Sequence, residues 1–131
     1  MIPLFSIRTH RILDLLLSIG LIAYAWLAEF PTDDPVVPAS LMVAGIVLLT
    51  YGLFTRFQKV NRGSISLKAH MILDALLGLG LAATPWILSF ASAVYKPHLI
   101  GGGILVFLAL TSQYEFKKAR RSSTDHRHIP M

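Results

Sequence analysis

Four long apolar runs, separated by short polar segments, constrain this chain more than any other feature of its sequence. They cover residues of about 12–30, 37–57, 67–90 and 97–114. Each run approaches the roughly 20 residues that a helix needs to cross a hydrocarbon core of about 30 Å. Because lipid offers open backbone groups no hydrogen-bond partner, such segments must be helical. The sequence therefore predicts an all-α, polytopic membrane protein with four transmembrane helices.

The composition agrees with a surface that faces lipid. Charged residues make up 15% of the 131 residues, whereas a soluble domain usually carries about 25%. The chain has no cysteine, which excludes disulfides, thiol catalysis and thiolate metal sites. We divide it into a first hairpin at 1–62, a second hairpin at 63–116 and a basic tail at 117–131.

The basic residues predict the orientation of the helices. The net charge of +5 would suit a nucleic-acid partner, but the basic residues cluster in the segments between apolar runs, as membrane topology requires. Because Lys and Arg favour the cytoplasmic side, we expect both termini and the central loop there, with only Lys96 in a hairpin tip. The groups are Arg8 and Arg11 before the first helix, Arg56, Lys59, Arg62 and Lys68 around the central loop, and Lys117, Lys118, Arg120, Arg121 and Arg127 in the tail.

The first and third apolar runs repeat each other in one constant register. Leucine matches alone would carry little weight, but His, Asp, Gly and Trp recur in that register, and such repeats define architecture. The second and fourth runs align only weakly. The identical pairs include Ser6/Ser66, His10/His70, Asp14/Asp74, Gly20/Gly80, Trp26/Trp86 and Phe30/Phe90.

Two tandem hairpins follow from this repeat. Each copy has two spans, so both copies insert in the same, parallel orientation. We therefore expect a pseudo-twofold axis along the membrane normal, with the first and third helices facing each other across it. Ser6 and Ser66 are expected N-caps for these two helices, and Pro85 is expected to kink the third.

The second copy carries a family resemblance. Thr84-Pro85-Trp86 resembles the Ser-Pro-Trp signature of the bacterial SPW repeat proteins, and the Gly-rich stretch 101–103 adds to the likeness. The first copy departs from the signature and keeps only Trp26. The resemblance implies a small protein of the bacterial inner membrane with two tandem repeats. It implies no particular activity.

The most informative polar feature is His10-x-x-x-Asp14 with its copy His70-x-x-x-Asp74. Residues at i and i+4 share one helix face, and ionisable residues in spanning helices are functional candidates. Around a pseudo-twofold axis, the two pairs can form one polar cluster. Three interpretations remain open: anchoring between helices, handling of protons or ions, and ligation of a metal or a haem through His10 and His70.

Other residues in the spans have structural interpretations. Small residues allow close helix packing in lipid, and Trp26 and Trp86 are expected as anchors at the membrane interface. We expect His98 at a solvated helix end. The glycines assigned to helix packing are Gly20, Gly80, Gly101, Gly102 and Gly103.

These features favour a structural or accessory membrane protein that packs against itself or a larger membrane complex. The alternatives are a small transporter or channel that uses the His-Asp pairs and, more remotely, a haem or metal protein. An enzyme is disfavoured, because no third residue completes a site for acid-base chemistry and no nucleotide-binding or hydrolase motif occurs. We predict no cofactor apart from that metal or haem alternative.

Overall fold

The computed structural model describes residues 6–55 and 65–125, the segment 113–125 by its backbone only. The central-loop residues Arg56, Lys59 and Arg62 and the side chains of the basic tail lie outside this description. The predicted all-helical fold is confirmed, since the described chain forms four helices and one isolated bridge between Thr55 and Ile65. The helices are α1 (Ile7–Leu27), α2 (Val36–Phe54), α3 (Leu67–Ile87) and α4 (Lys96–Asp125).

Three of the four helices in the described chain have the length and hydropathy of membrane spans. α1, α2 and α3 each contain an apolar window long enough to cross a membrane. α4 is 30 residues long, but its described apolar part, Lys96–Ser112, is shorter than those windows. α1 packs chiefly on α2, and α3 packs chiefly on α4. The described chain therefore contains two helical hairpins in sequence.

The first helix begins earlier than the apolar run indicates. The Ser6 hydroxyl accepts a hydrogen bond from the Thr9 amide at 3.2 Å, which makes Ser6 the N-cap. Ser66 caps α3 through the Ala69 amide in the same way. Both predicted caps are confirmed. Arg8 and Arg11, expected before the first helix, therefore lie within its opening turns.

The third helix ends at Ile87, before the end of its apolar run, in a cap that uses the Pro85 carbonyl. Ser89 takes a left-handed conformation with φ of 63°. The Phe90 amide donates to the Pro85 carbonyl at 2.9 Å, and the Ser89 amide donates to the Trp86 carbonyl at 3.4 Å. These two bonds form a Schellman cap. The Pro-Trp pair of the signature thus lies in the last helical turn, just before the cap.

Close helix packing depends on three glycines. A Cβ added at Gly45 would lie 2.8 Å from the Ser18 carbonyl oxygen of α1. In the second hairpin, Gly78 and Gly102 approach each other so closely that neither has room for a Cβ. Gly101 contacts leucine side chains of α1 and α3. The helices of each hairpin therefore meet at small residues, as expected in lipid.

The packing role expected for Gly20, Gly80 and Gly103 is wrong within the described chain. A Cβ added at any of them would meet nothing within 4 Å, and all three are exposed. They lie on the outer faces of α1, α3 and α4. The repeat placed Gly20 and Gly80 at equivalent positions, but identity between copies does not show which face a residue occupies.

Gly102→Ala should destabilise the protein by about 1–3 kcal/mol, because the new methyl group overpacks the α3–α4 contact. It would lie 2.7 Å from the Ala82 backbone nitrogen. Gly103→Ala is the matched control, at the next position on open surface, and should be neutral or slightly stabilising. Thermal unfolding in detergent measures both. Equal melting temperatures for the two variants would contradict this account of the interface.

Candidate functional site

The two histidines and two aspartates of the repeated motif meet at one buried site. His10 and Asp14 come from α1, and His70 and Asp74 come from α3. Their exposed fractions are 0%, 4%, 0% and 0%, respectively. The histidine rings lie edge to face, with centroids 5.6 Å apart. We name these four residues the His-Asp cluster.

The hydrogen bonds of the cluster cross between the hairpins. His10 Nε2 lies 2.9 Å from Asp74 Oδ2, and His70 Nε2 lies 2.8 Å from Asp14 Oδ2. Each Nε2 also faces the aspartate of its own helix, at 2.9 Å for His10 and 3.3 Å for His70. Each histidine thus contacts both carboxylates, and the cluster joins α1 to α3.

Two hydroxyl groups hold the outer edges of the imidazole rings. Thr55, at the end of α2, lies 2.8 Å from His70 Nδ1. Ser112 of α4 is hydrogen-bonded to His10 Nδ1. Each hydroxyl comes from the hairpin opposite to that of the histidine it contacts, so all four helices contribute to the site. The rings are therefore fixed with Nε2 pointing inward.

Tyr51 makes the two halves of the cluster different. Its hydroxyl donates to Asp74 Oδ1 at 2.6 Å, and its ring packs against His70. Asp14 Oδ1 is buried and has no hydrogen-bond partner among the described residues. When α2 and α4 are aligned so that Gly45 matches Gly102, the position of Tyr51 is occupied by Leu108. This leucine is buried but has no polar group.

The sequence reasoning missed Tyr51, Thr55 and Ser112. The register that aligns α1 with α3, and so His10 with His70, leaves the buried positions of α2 and α4 unmatched. A slightly smaller sequence offset brings the buried positions of α2 and α4 into register. Aligning these two helices independently of α1 and α3 would have paired Thr55 with Ser112. The matched pairs are Val37/Val94, Gly45/Gly102, Leu48/Leu105 and Thr55/Ser112.

A small cavity adjoins Asp14 between α1 and α2. It has a volume of about 70 Å³ and is lined by Arg11, Asp14, Ser18 and Gly52, with leucines from both helices. A single water needs roughly 10–15 Å³ by this measure, so the cavity has room for several. One face of the otherwise closed cluster therefore borders a space that water can occupy.

The two aspartates lie between the histidines, where a haem held by His10 and His70 would have to be placed. Each Nε2 points at the two Oδ2 atoms, so Asp14 and Asp74 fill the space in which a bis-histidine haem would lie. The ligand atoms of the four residues form a compact set, all within 4.8 Å of one another.

His98 lies in the interior, which corrects the expectation of a solvated helix end. It is 0% exposed. Its Nε2 lies 2.8 Å from the Ser40 hydroxyl of α2, and its ring packs against Phe90. In the register that pairs Gly45 with Gly102, its counterpart is Leu41, also fully buried. Pro97 at the start of the helix had suggested a surface position.

Trp26 and Trp86 lie on the outer surface near the ends of α1 and α3. They are 78% and 55% exposed, and Trp86 also contacts the Tyr95 ring. Their exposure fits side chains that meet a membrane interface, and this role stays a prediction.

Apolar outer faces and a buried polar centre define a four-helix membrane protein built from two hairpins. The model of the SPW repeat domain matches residues 8–112, a stretch that includes the entire cluster and part or all of each helix. The chain therefore belongs to the SPW repeat family. No curated protein and no solved structure is significantly similar to it.

Tyr51→Phe should destabilise the protein by about 1–3 kcal/mol, because it leaves Asp74 Oδ1 buried without a donor. Tyr95→Phe is the matched control, since the Tyr95 side chain is 41% exposed, and should change stability by less than about 0.5 kcal/mol. Thermal unfolding in one detergent compares them. A Tyr51→Phe protein as stable as the wild type would show that this hydrogen bond contributes nothing.

Proposed function

We propose that this chain is a structural or accessory membrane protein whose hairpins are locked together by the His-Asp cluster. The observation that carries this proposal is the crossing of the hydrogen bonds. His10 of the first hairpin pairs with Asp74 of the second, and His70 pairs with Asp14. The polar groups are used to join the two halves of the chain.

The closed geometry of the cluster favours a lock over a path for solutes. Three of the four residues are 0% exposed, and the fourth, Asp14, is 4% exposed. The adjoining cavity of about 70 Å³ holds a few waters. A small transporter or channel, the alternative from the sequence, would need the helices to separate at this site.

The exposed apolar surface of the helices supports the proposal of a protein partner in the membrane. Only 28% to 33% of the spanning windows of α1, α2 and α3 is buried within the chain. Large side chains such as Leu16 and Leu76 are 60% and 62% exposed. Lipid can cover this surface, and so can a second copy or a larger membrane complex. We propose a self-associating protein or a subunit of such a complex.

We propose the bacterial inner membrane as its location, with both termini in the cytoplasm. The distribution of basic residues supports this orientation, because Lys96 alone lies in a hairpin tip. The acidic tip residues Asp33 and Asp34 would then face the outside.

Asp74→Asn should destabilise the protein by about 3–5 kcal/mol, because removing one partner leaves a buried charge uncompensated. Asp14→Asn should cost less, since Asp14 lacks the tyrosine bond that Asp74 receives. Asp33→Asn, the same change at an exposed tip residue, should be neutral. Protease sensitivity and thermal unfolding rank the three. The lock is excluded if Asp74→Asn and Asp33→Asn behave alike.

The accessory role is tested in native membranes. Mild detergent extraction and cross-linking should recover the chain in a complex larger than the monomer. Deleting the chain should lower the abundance of at least one membrane protein in that complex. A chain that runs as a lone monomer, and whose loss changes no other protein, would refute this role while leaving the lock intact.

A further inference from the structure

We propose that the His-Asp cluster binds one divalent transition-metal ion, with His10, Asp14, His70 and Asp74 as its ligands. This proposal goes beyond the structural role and does not depend on it, because the lock also holds with protons in place of the ion. Each residue offers one atom, and these four atoms lie within 4.8 Å of one another.

The four spacings between histidine nitrogens and aspartate oxygens are close to those of a tetrahedral site. Ligands about 2.0 Å from a zinc ion lie about 3.3 Å apart in a tetrahedron. The four Nε2–Oδ2 distances are 2.8, 2.9, 2.9 and 3.3 Å. In a coordination sphere of two nitrogens and two oxygens, these four distances would each lengthen by at most about 0.5 Å, and the other two pairs of ligand atoms lie within 4.8 Å of each other. Imidazole and carboxylate ligands together suit zinc and neighbouring divalent ions.

The hydroxyl group of Thr55 leaves a lone pair of His70 facing inward. Thr55 donates its proton to the Tyr51 carbonyl at 2.6 Å, so it accepts from His70 Nδ1. A neutral His70 ring then has its lone pair on Nε2, directed at Asp14 Oδ2. Two lone pairs 2.8 Å apart require a positive charge between them. Either a proton or a metal ion supplies it.

The charges favour a divalent ion. Two neutral histidines and two carboxylates carry a net charge of −2, and one divalent ion or two added protons neutralise it. Uncompensated charge is costly among spanning helices. With two added protons, two hydrogens are shared among four Nε2–Oδ2 contacts, whereas one central ion engages all four inward atoms at once. The binding of the ion releases these protons.

The surrounding contacts are those that metal ligands require. A metal-bound histidine is held in its tautomer by a partner on its other nitrogen, and bound carboxylates are themselves hydrogen-bonded. Thr55 and Ser112 hold the two Nδ1 atoms, and Tyr51 holds Asp74 Oδ1. The outer contacts exist for three of the four ligands.

The fourth ligand, Asp14, supplies an independent indication of a site. Its Oδ1 is buried without a partner among the described residues, and the carboxylate borders the cavity between α1 and α2. An ion in this cavity would meet Asp14 first. Oδ1 can become a second oxygen ligand from Asp14, or it can bind a water on the ion. Neither possibility exists on the Asp74 side, where Tyr51 occupies Oδ1.

The test is reconstitution of the purified full chain, prepared without a polyhistidine tag and stripped with a chelator. Zn²⁺ and Co²⁺ are the probes. We expect about one ion per chain, a higher melting temperature with Zn²⁺, and the visible absorption of tetrahedral Co²⁺. A folded wild-type protein that binds neither ion overturns the proposal, whatever the fate of the structural role.

Matched variants locate the ion. His70→Gln should lower the affinity for Zn²⁺ by more than about 100-fold, and Tyr51→Phe, which keeps all ligands, by about 10-fold. His98→Gln removes another buried histidine and should leave binding unchanged. All variants carry His126→Gln and His128→Gln, so that the tail contributes no ligand.

Two outcomes exclude the cluster as the site. In the first, the protein that carries only His126→Gln and His128→Gln no longer binds Zn²⁺. In the second, a folded His70→Gln protein still binds Zn²⁺ as tightly as before. If His70→Gln does not fold, the Zn²⁺ affinity of Tyr51→Phe serves as the test, because this variant retains every ligand. An unchanged affinity in that variant would then overturn the proposal.

Discussion

Ionisable side chains within spanning helices have no water to solvate them, and the rest of this structure follows from how four of them satisfy one another. A single carboxylate or imidazolium in this setting is costly. Two of each, with inward atoms 2.8–3.3 Å apart, can form a set without net charge. Both hairpins are needed to form the cluster, because the hydrogen bonds join each histidine Nε2 to the aspartate Oδ2 of the other hairpin.

The arrangement of the hairpins explains why the contacts cross. Both copies insert in the same orientation, so His10 and His70 lie at equal depth, and each faces the carboxylate one turn further along the opposite helix. α2 and α4 then complete the site, with Thr55 on His70 and Ser112 on His10. Their approach depends on Gly45 and on Gly102, where a Cβ would collide with the neighbouring helix. Small residues in the spans therefore set the depth and spacing of the polar groups.

The sequence predicted the four helices and the central pairs because both signals are local. Apolar runs identify spans, and a His-x-x-x-Asp motif that occurs in both copies identifies one face of α1 and α3. The sequence could not predict which aspartate pairs with each histidine. The Nε2–Oδ2 distance from His10 to Asp14 on its own helix is nearly the same as the distance to Asp74 on the other hairpin. Tyr51 and Ser112 were missed because the loop lengths differ, so that α2 and α4 align in another register. Gly20 and Gly80 showed that matched residues need not be packed residues.

The two aspartates of the cluster differ in how their Oδ1 atoms are paired, and this difference bears on the role of the site. A lock alone would be best served by two equivalent carboxylates, each with all oxygens paired. Here Tyr51 completes Asp74, while Leu108 stands in the corresponding place and leaves Asp14 Oδ1 unpaired among the described residues, beside a cavity. An acceptor in this position needs a partner to avoid a cost of about 1–3 kcal/mol, and the cavity gives space for one, such as a water. The two aspartates therefore share the bonds that join the hairpins but differ in their surroundings: Tyr51 closes off Asp74, whereas Asp14 borders the cavity.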